Sequence, residues 1–171
     1  MSNYKNHGFT LLEILVVMVI ASLVMVILSG MFFSILKGST KSRIMVEIKQ
    51  NGSFALNVME RMIRNAKSVS YTNTGDNSSI DIENQDDRTT TFACFNLGGK
   101  NIIASNSASL IDSSRVRVSN CSNIFTVTPG ELGRTPASVV INFILEQAVS
   151  SGRVEDKSTM NFKSQVVLRN Y

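Results

Sequence analysis

The sequence predicts an α+β fold: one long N-terminal helix, membrane-spanning in its first half and packed through its second half on an antiparallel β-sheet head. Three observations predict it. Residues Ile14–Leu36 form a run of 23 residues without a charge. Beyond that run, apolar residues return at the helical period as far as about Lys67. After Val69, short alternating runs are separated by clusters of Asn, Ser, Asp, Gly and Thr, the texture of strands and turns.

Composition bounds what the chain does. Its 171 residues suffice for one ordinary domain with an appendage, not for two large ones. At 43% hydrophobic and 18% charged it is too apolar to be disordered. The net charge of +4 is unevenly spread: residues 37–67 carry +5, and residues 68–171 carry −1. The single histidine, His7, removes His-based metal sites and His-dependent catalysis from consideration.

The apolar run comes first. Ser22, Ser29, Gly30 and Ser34 are its only interruptions. As a helix rising about 1.5 Å per residue it is roughly 35 Å long, enough to cross a hydrocarbon core of about 30 Å. Val, Ile and Leu on every face leave no polar stripe, which excludes an amphipathic surface helix. A secretory signal has a shorter apolar region, about 7–15 residues, ending in a small-residue exit that is missing here. Glu13 heads the run. A carboxylate costs about 2.5–3.5 kcal/mol at the bilayer centre and less toward the edge. It needs either a partner or a place at headgroup level, where the helix dipole favours it.

Gly8-Phe9-Thr10-Leu11-Leu12-Glu13, followed at once by the apolar run and preceded by the polar stretch Met1–Gly8 with Lys5, closely resembles the prepilin signal of type IV pilins and type II secretion pseudopilins. The resemblance implies a pilin-like architecture of four parts: a leader at 1–8, a transmembrane or filament-core helix at 9–36, its amphipathic continuation at 37–67 and a β-rich head at 68–171. It implies that a prepilin peptidase cuts between Gly8 and Phe9 and N-methylates Phe9. Removal of the leader discards His7. The N-terminus would be cytoplasmic and the head extracytoplasmic in a single-pass membrane precursor, which then enters a cell-surface or periplasmic filament. The implied partners are the peptidase, other pilin or pseudopilin subunits and the inner or cytoplasmic membrane. Glu13 would be the assembly residue: its carboxylate would pair with the Phe9 amine of an incoming subunit, because an unpaired charge in low dielectric is heavily penalised. The Lys and Arg count runs the other way, with Lys5 before the run and Lys37, Lys41, Arg43 and Lys49 after it. The orientation adopted follows the leader, which has to meet its peptidase in the cytoplasm.

The continuation of the helix passes Gly38 and Ser39, a weak spot without a Pro to compel a break. Apolar residues then recur at Ile44, Ile48, Ala55, Met59, Met62, Ile63, Ala66 and Val69, with Gly52 in the slot between Ile48 and Ala55. This pattern predicts one helix from about Phe9 to about Lys67. Its outer face carries Lys41, Lys49, Arg61, Arg64 and Lys67. That face is read as solvated, or as touching neighbouring subunits. DNA binding is the lesser reading, because no aromatic residues interleave with the basic ones. Gly30 stands where many major pilins carry Pro; it either weakens the helix by roughly 1 kcal/mol or serves close helix packing.

In the head, Ile80 and Ile82 alternate with Asp81 and Glu83, and Val116 and Val118 with Arg115 and Arg117. Val139, Ile141, Phe143 and Leu145 share one face of a predicted strand, as do Met160, Phe162, Val166 and Leu168. Pro129 and Pro136 bracket a predicted loop. Cys94 and Cys121, in an exported head, favour a disulfide over two free thiols. Asp76, Asp81, Glu83, Asp86 and Asp87 are read as a solvated acidic loop without EF-hand spacing. Gly98-Gly99-Lys100-Asn101 lacks the frame of a phosphate loop, and no G-x-S-x-G occurs. No enzyme activity, cofactor or metal is expected.

Asn51–Ala66 and the closing Val166-Val167-Leu168-Arg169-Asn170 resemble J-type pseudopilins and W-type minor pilins. They imply a low-copy subunit, with a compact major pilin as the close alternative. Two further readings remain: an uncleaved single-pass membrane protein with an extracellular binding head, and a DNA-uptake pilin of a competence system.

Overall fold

The computed structural model describes residues 10–74, 77–130, 135–148 and 158–169. The chain divides into two compact units, residues 1–40 and 41–171. Helix α1 (Leu11–Arg64) contributes to both. It is helical through Gly38 and Ser39, where the sequence has only a weak spot. In the first unit every described side chain is exposed.

In the second unit, α1 lays Ile48, Gly52, Ala55, Met59 and Ile63 into the core, the face that the 3.6-residue period marks out. The helix stops at Arg64, about a turn before the predicted Lys67. Two i→i+3 bonds close its last turn, from the Asn65 N–H to the Met62 carbonyl (3.2 Å) and from the Ala66 N–H to the Ile63 carbonyl (3.2 Å). Ala66 and Val69 therefore continue the apolar pattern without being helical: Val69 lies on β1 (Ser68–Thr74). Lys67 leaves the helix because its N–H is taken by the Glu83 carbonyl at 2.8 Å, which starts strand pairing.

The sheet is antiparallel throughout its described pairings. β1 is followed by β2 (Asn77–Glu83), β3 (Thr89–Leu97) and β4 (Lys100–Ser105) as a meander. A two-residue strand, β5 (Ala108–Ser109), folds back on β4. Then come β6 (Val116–Val118), β7 (Phe125–Thr128), β8 (Ser138–Gln147) and β9 (Thr159–Val167). β8 is the hub: β6 and β7 pair with its two ends along one edge, and β9 pairs along the other. Period-two alternation holds where expected. Ile80 and Ile82 on β2, Val116 and Val118 on β6, and Val139, Ile141, Phe143 and Leu145 on β8 are all buried in one core with the helix face.

Two features organise that core. Phe143 and Phe162 face each other across β8 and β9 and stack, with centroids 5.3 Å apart and planes 18° from parallel. The Phe162 ring lies directly on the helix at Gly52, where a Cβ would overlap the ring. Gly52 fills an apolar slot of the pattern because nothing larger fits under Phe162. Elsewhere in the core, Cys94 of β3 and Cys121, both buried, form a disulfide with Cα atoms 5.3 Å apart.

One expectation changes. Asp81 and Glu83 are not part of an acidic loop: they sit on β2, where Asp81 accepts the Thr91 hydroxyl (2.5 Å) and Glu83 the Ser68 hydroxyl (2.8 Å). Only Asp86 and Asp87 occupy the β2–β3 turn, and Asp76 lies outside the described residues. Gly98 and Gly99 form the two-residue β3–β4 turn, both at positive φ (60° and 81°), which a hairpin of this length requires. Between Pro129 and Pro136, residues 131–134 lie outside the described residues.

Candidate processing and assembly site

Gly8 and Phe9 lie outside the described residues; the description begins at Thr10. Thr10 is the N-cap of α1. Its hydroxyl oxygen and its carbonyl accept the Glu13 N–H at 3.3 and 3.1 Å, and the carbonyl also accepts the Ile14 N–H at 3.3 Å. Thr10-Leu11-Leu12-Glu13 has the Thr-x-x-Glu spacing of a capping box, a local start signal that the apolar run obscures. The cap fixes where the helix begins, and so fixes Glu13 in its first turn.

Among the described residues, the Glu13 carboxylate has neither a hydrogen bond nor an ion pair, and it is exposed. Around and beyond it, Leu11, Leu12 and the side chains of Ile14–Leu36 are exposed on every side. The helix is long and apolar enough to cross a membrane, with a mean hydropathy of 3.0 over its most apolar window. Two of its polar interruptions bond to their own helix. Ser22 donates to the Val19 carbonyl at 2.8 Å and Ser29 to the Met25 carbonyl at 2.8 Å, so neither hydroxyl needs water. A Cβ at Gly30 would meet nothing within 4 Å, which leaves that spot open to a close approach from outside.

The basic residues singled out in the sequence do not form one stripe. Lys67 is off the helix and pairs with Asp87, whose carboxylate holds the Lys67 ammonium above its usual pKa. Arg61 and Arg64 instead line a groove with Asn57, Glu60, Asn65 and Arg169. The contribution of Arg169 has no signal in the sequence, because the C-terminal segment returns to the helix end only in the fold. There the Arg169 N–H donates to the Arg64 carbonyl at 3.1 Å.

A second set of polar contacts anchors the loop before β6 to α1. The Asp112 N–H donates to Asn51 Oδ1 at 2.8 Å, and Arg115 pairs with Glu47. The Ser114 hydroxyl (2.5 Å) and N–H (3.0 Å) both donate to Asp112, holding its carboxyl below the usual carboxylate range, with Arg115 adding to the effect. These contacts tie the loop to the helix and offer no reactive arrangement. Among the described residues, no group of three or more His, Cys, Asp or Glu side chains is placed to hold a metal ion.

A family model described as the prokaryotic N-terminal methylation motif matches residues 3–29, a span that contains the Gly8–Glu13 hexapeptide and most of the apolar run. No curated protein and no solved structure matches the chain. The segment at 3–29 is thus a prepilin-type signal of the kind carried by type IV pilins and pseudopilins, leading into an apolar N-terminal helix of an α+β chain.

Proposed function

We propose that the chain is a minor pilin or pseudopilin, a structural subunit of a type IV pilus or a type II secretion pseudopilus, and not an enzyme. The observation that carries this reading is the match of residues 3–29 to the methylation motif, placed directly on a helix that begins at a Thr10 cap. In this reading a prepilin peptidase cuts between Gly8 and Phe9 on the cytoplasmic side and methylates the new Phe9 amine. The helix anchors the precursor in the membrane, with the head outside. Subunits then leave the membrane laterally into a filament, side by side through residues 9–36.

Glu13 supplies the register. In hydrocarbon an unpaired carboxylate is strongly disfavoured, whereas one beside a methylated amine is tolerated. A neighbour slipped along the axis leaves the carboxylate unpaired, so the pairing selects one axial offset, much as a single buried polar residue fixes the register of a coiled coil. That Glu13 has no partner among the described residues supports this role. Assignment to the J-type and W-type minor subunits rests on Asn51–Ala66 and the Val166–Asn170 ending. The test of the subunit class is stoichiometry in sheared filaments: trace amounts fit a minor subunit, and a dominant band identifies a major pilin instead.

A further inference from the structure

Among the described residues, the groove at the end of α1 concentrates basic charge on the head that the processing signal does not explain. It has a volume of about 380 Å³ and is lined by Asn57, Glu60, Arg61, Arg64, Asn65 and Arg169. Three guanidinium groups stand against one carboxylate. Arg61, Arg64 and Arg169 are exposed, and their side chains form no ion pair among the described residues. Among the described residues, the other head arginines, at 88, 115 and 117, are all paired to Asp or Glu. The helix dipole explains part of the arrangement, since cations belong at a helix C-terminus. It does not explain Arg169, which comes from the other end of the chain and is held there by its backbone bond to Arg64.

We infer that this groove is a docking site for an acidic peptide segment of a neighbouring pilin-type subunit, which it holds by its carboxylates. The inference rests on the filament-subunit reading and deepens it. Guanidinium forks match carboxylates in a two-point geometry that a lysine cannot offer. The rest of the lining argues for a peptide over a phosphate polymer. Asn57 and Asn65 present carboxamides that complement backbone amides, and Glu60 accepts a peptide N–H. A nucleic-acid strand, charged at every residue, has to place a phosphate against Glu60; an acidic peptide can set a neutral residue there. The occupant is therefore a loop with two or three Asp or Glu residues, interrupted by neutral ones.

The test uses the full chain in detergent micelles, titrated with fluorescein-labelled hexaglutamate and, separately, with hexaglutamine, inorganic phosphate and hexathymidylate. Hexaglutamate should bind with an affinity that falls as salt rises. Arg61→Gln with Arg64→Gln should weaken binding about tenfold, as should Arg169→Gln, while Lys49→Gln on the same helix leaves it unchanged. Thermal unfolding of the variants should match the parent, since all three arginines are exposed. Undiminished binding in the arginine variants overturns the inference, and so does tighter binding of phosphate or hexathymidylate than of hexaglutamate. N-terminal mass on the same preparations, made in cells that trim their other prepilins, separates the two levels. A chain trimmed to Phe9 that ignores hexaglutamate sinks the groove alone; an untrimmed chain sinks the filament reading.

Discussion

Replacing Gly52 by alanine should destabilise the head, although the same change stabilises most helices. In an exposed helix interior Gly→Ala gains about 1 kcal/mol. At Gly52 the new methyl would overlap the Phe162 ring, which is also stacked on Phe143 at 5.3 Å. Overpacking of a core costs about 1–3 kcal/mol, and loss of an aromatic stack about 0.5–1.5 kcal/mol more. Set against the propensity gain, the net loss is roughly 1–3 kcal/mol. For a head of this size that corresponds to a melting temperature lower by roughly 4–12 °C. The assay is thermal unfolding of the full chain in detergent, followed by near-ultraviolet circular dichroism. Phe162→Leu supplies the control background. With the ring gone, Gly52→Ala should become neutral or stabilising, so the two changes are non-additive by more than about 1 kcal/mol. A Gly52→Ala chain more stable than its parent, or strict additivity with Phe162→Leu, refutes the close approach.

Three further outcomes follow from the same structure. Cys94→Ser with Cys121→Ser should cost the head about 3.5 kcal/mol in the chain-entropy model for a loop of 27 residues, measured as a lower urea midpoint under oxidising conditions. The Asp112 carboxyl is held below its ordinary pKa, so its stabilising contribution is complete above about pH 4 and is lost as pH falls through the lower, folded value. Asp112→Asn should therefore unfold earlier than the parent at pH 6 and approach it as pH falls through the lowered, folded value, while keeping the backbone bond to Asn51. Glu13→Ala should leave Gly8–Phe9 cleavage intact, as read by mass, but reduce incorporation into sheared filaments by at least about tenfold.

The N-terminal half is legible in the sequence because its signal is local. An uncharged run needs no partner to be recognised, and the hexapeptide ahead of it is contiguous. β9 is legible for the same reason, since Met160–Val166 alternates, whereas β8 is apolar at six of the seven positions Val139–Leu145 and shows its alternation in burial. β4 is harder: Ile102, Ile103 and Ala104 are all buried, and such a run carries no period. On β3, Thr90 and Ala93 blur the alternation of Phe92 and Cys94. The acidic cluster misleads because residues close in sequence are divided between a strand and a turn. Gly52 stands out as a gap in a pattern, but its cause, Phe162, is distant along the chain. The Arg61–Arg64–Arg169 groove likewise exists only after the last strand returns to the helix end. The Thr10 cap is within reach of local reasoning, yet the run behind it dominates the reading of that segment.

The mass of the mature N-terminus is the most direct measure of the whole account. Peptide mass spectrometry of the native chain, from cells that trim their other prepilins, should find a first residue of N-methylated Phe9 and no peptide from residues 1–8. A chain that still begins at Met1, or one trimmed at any other bond, contradicts it.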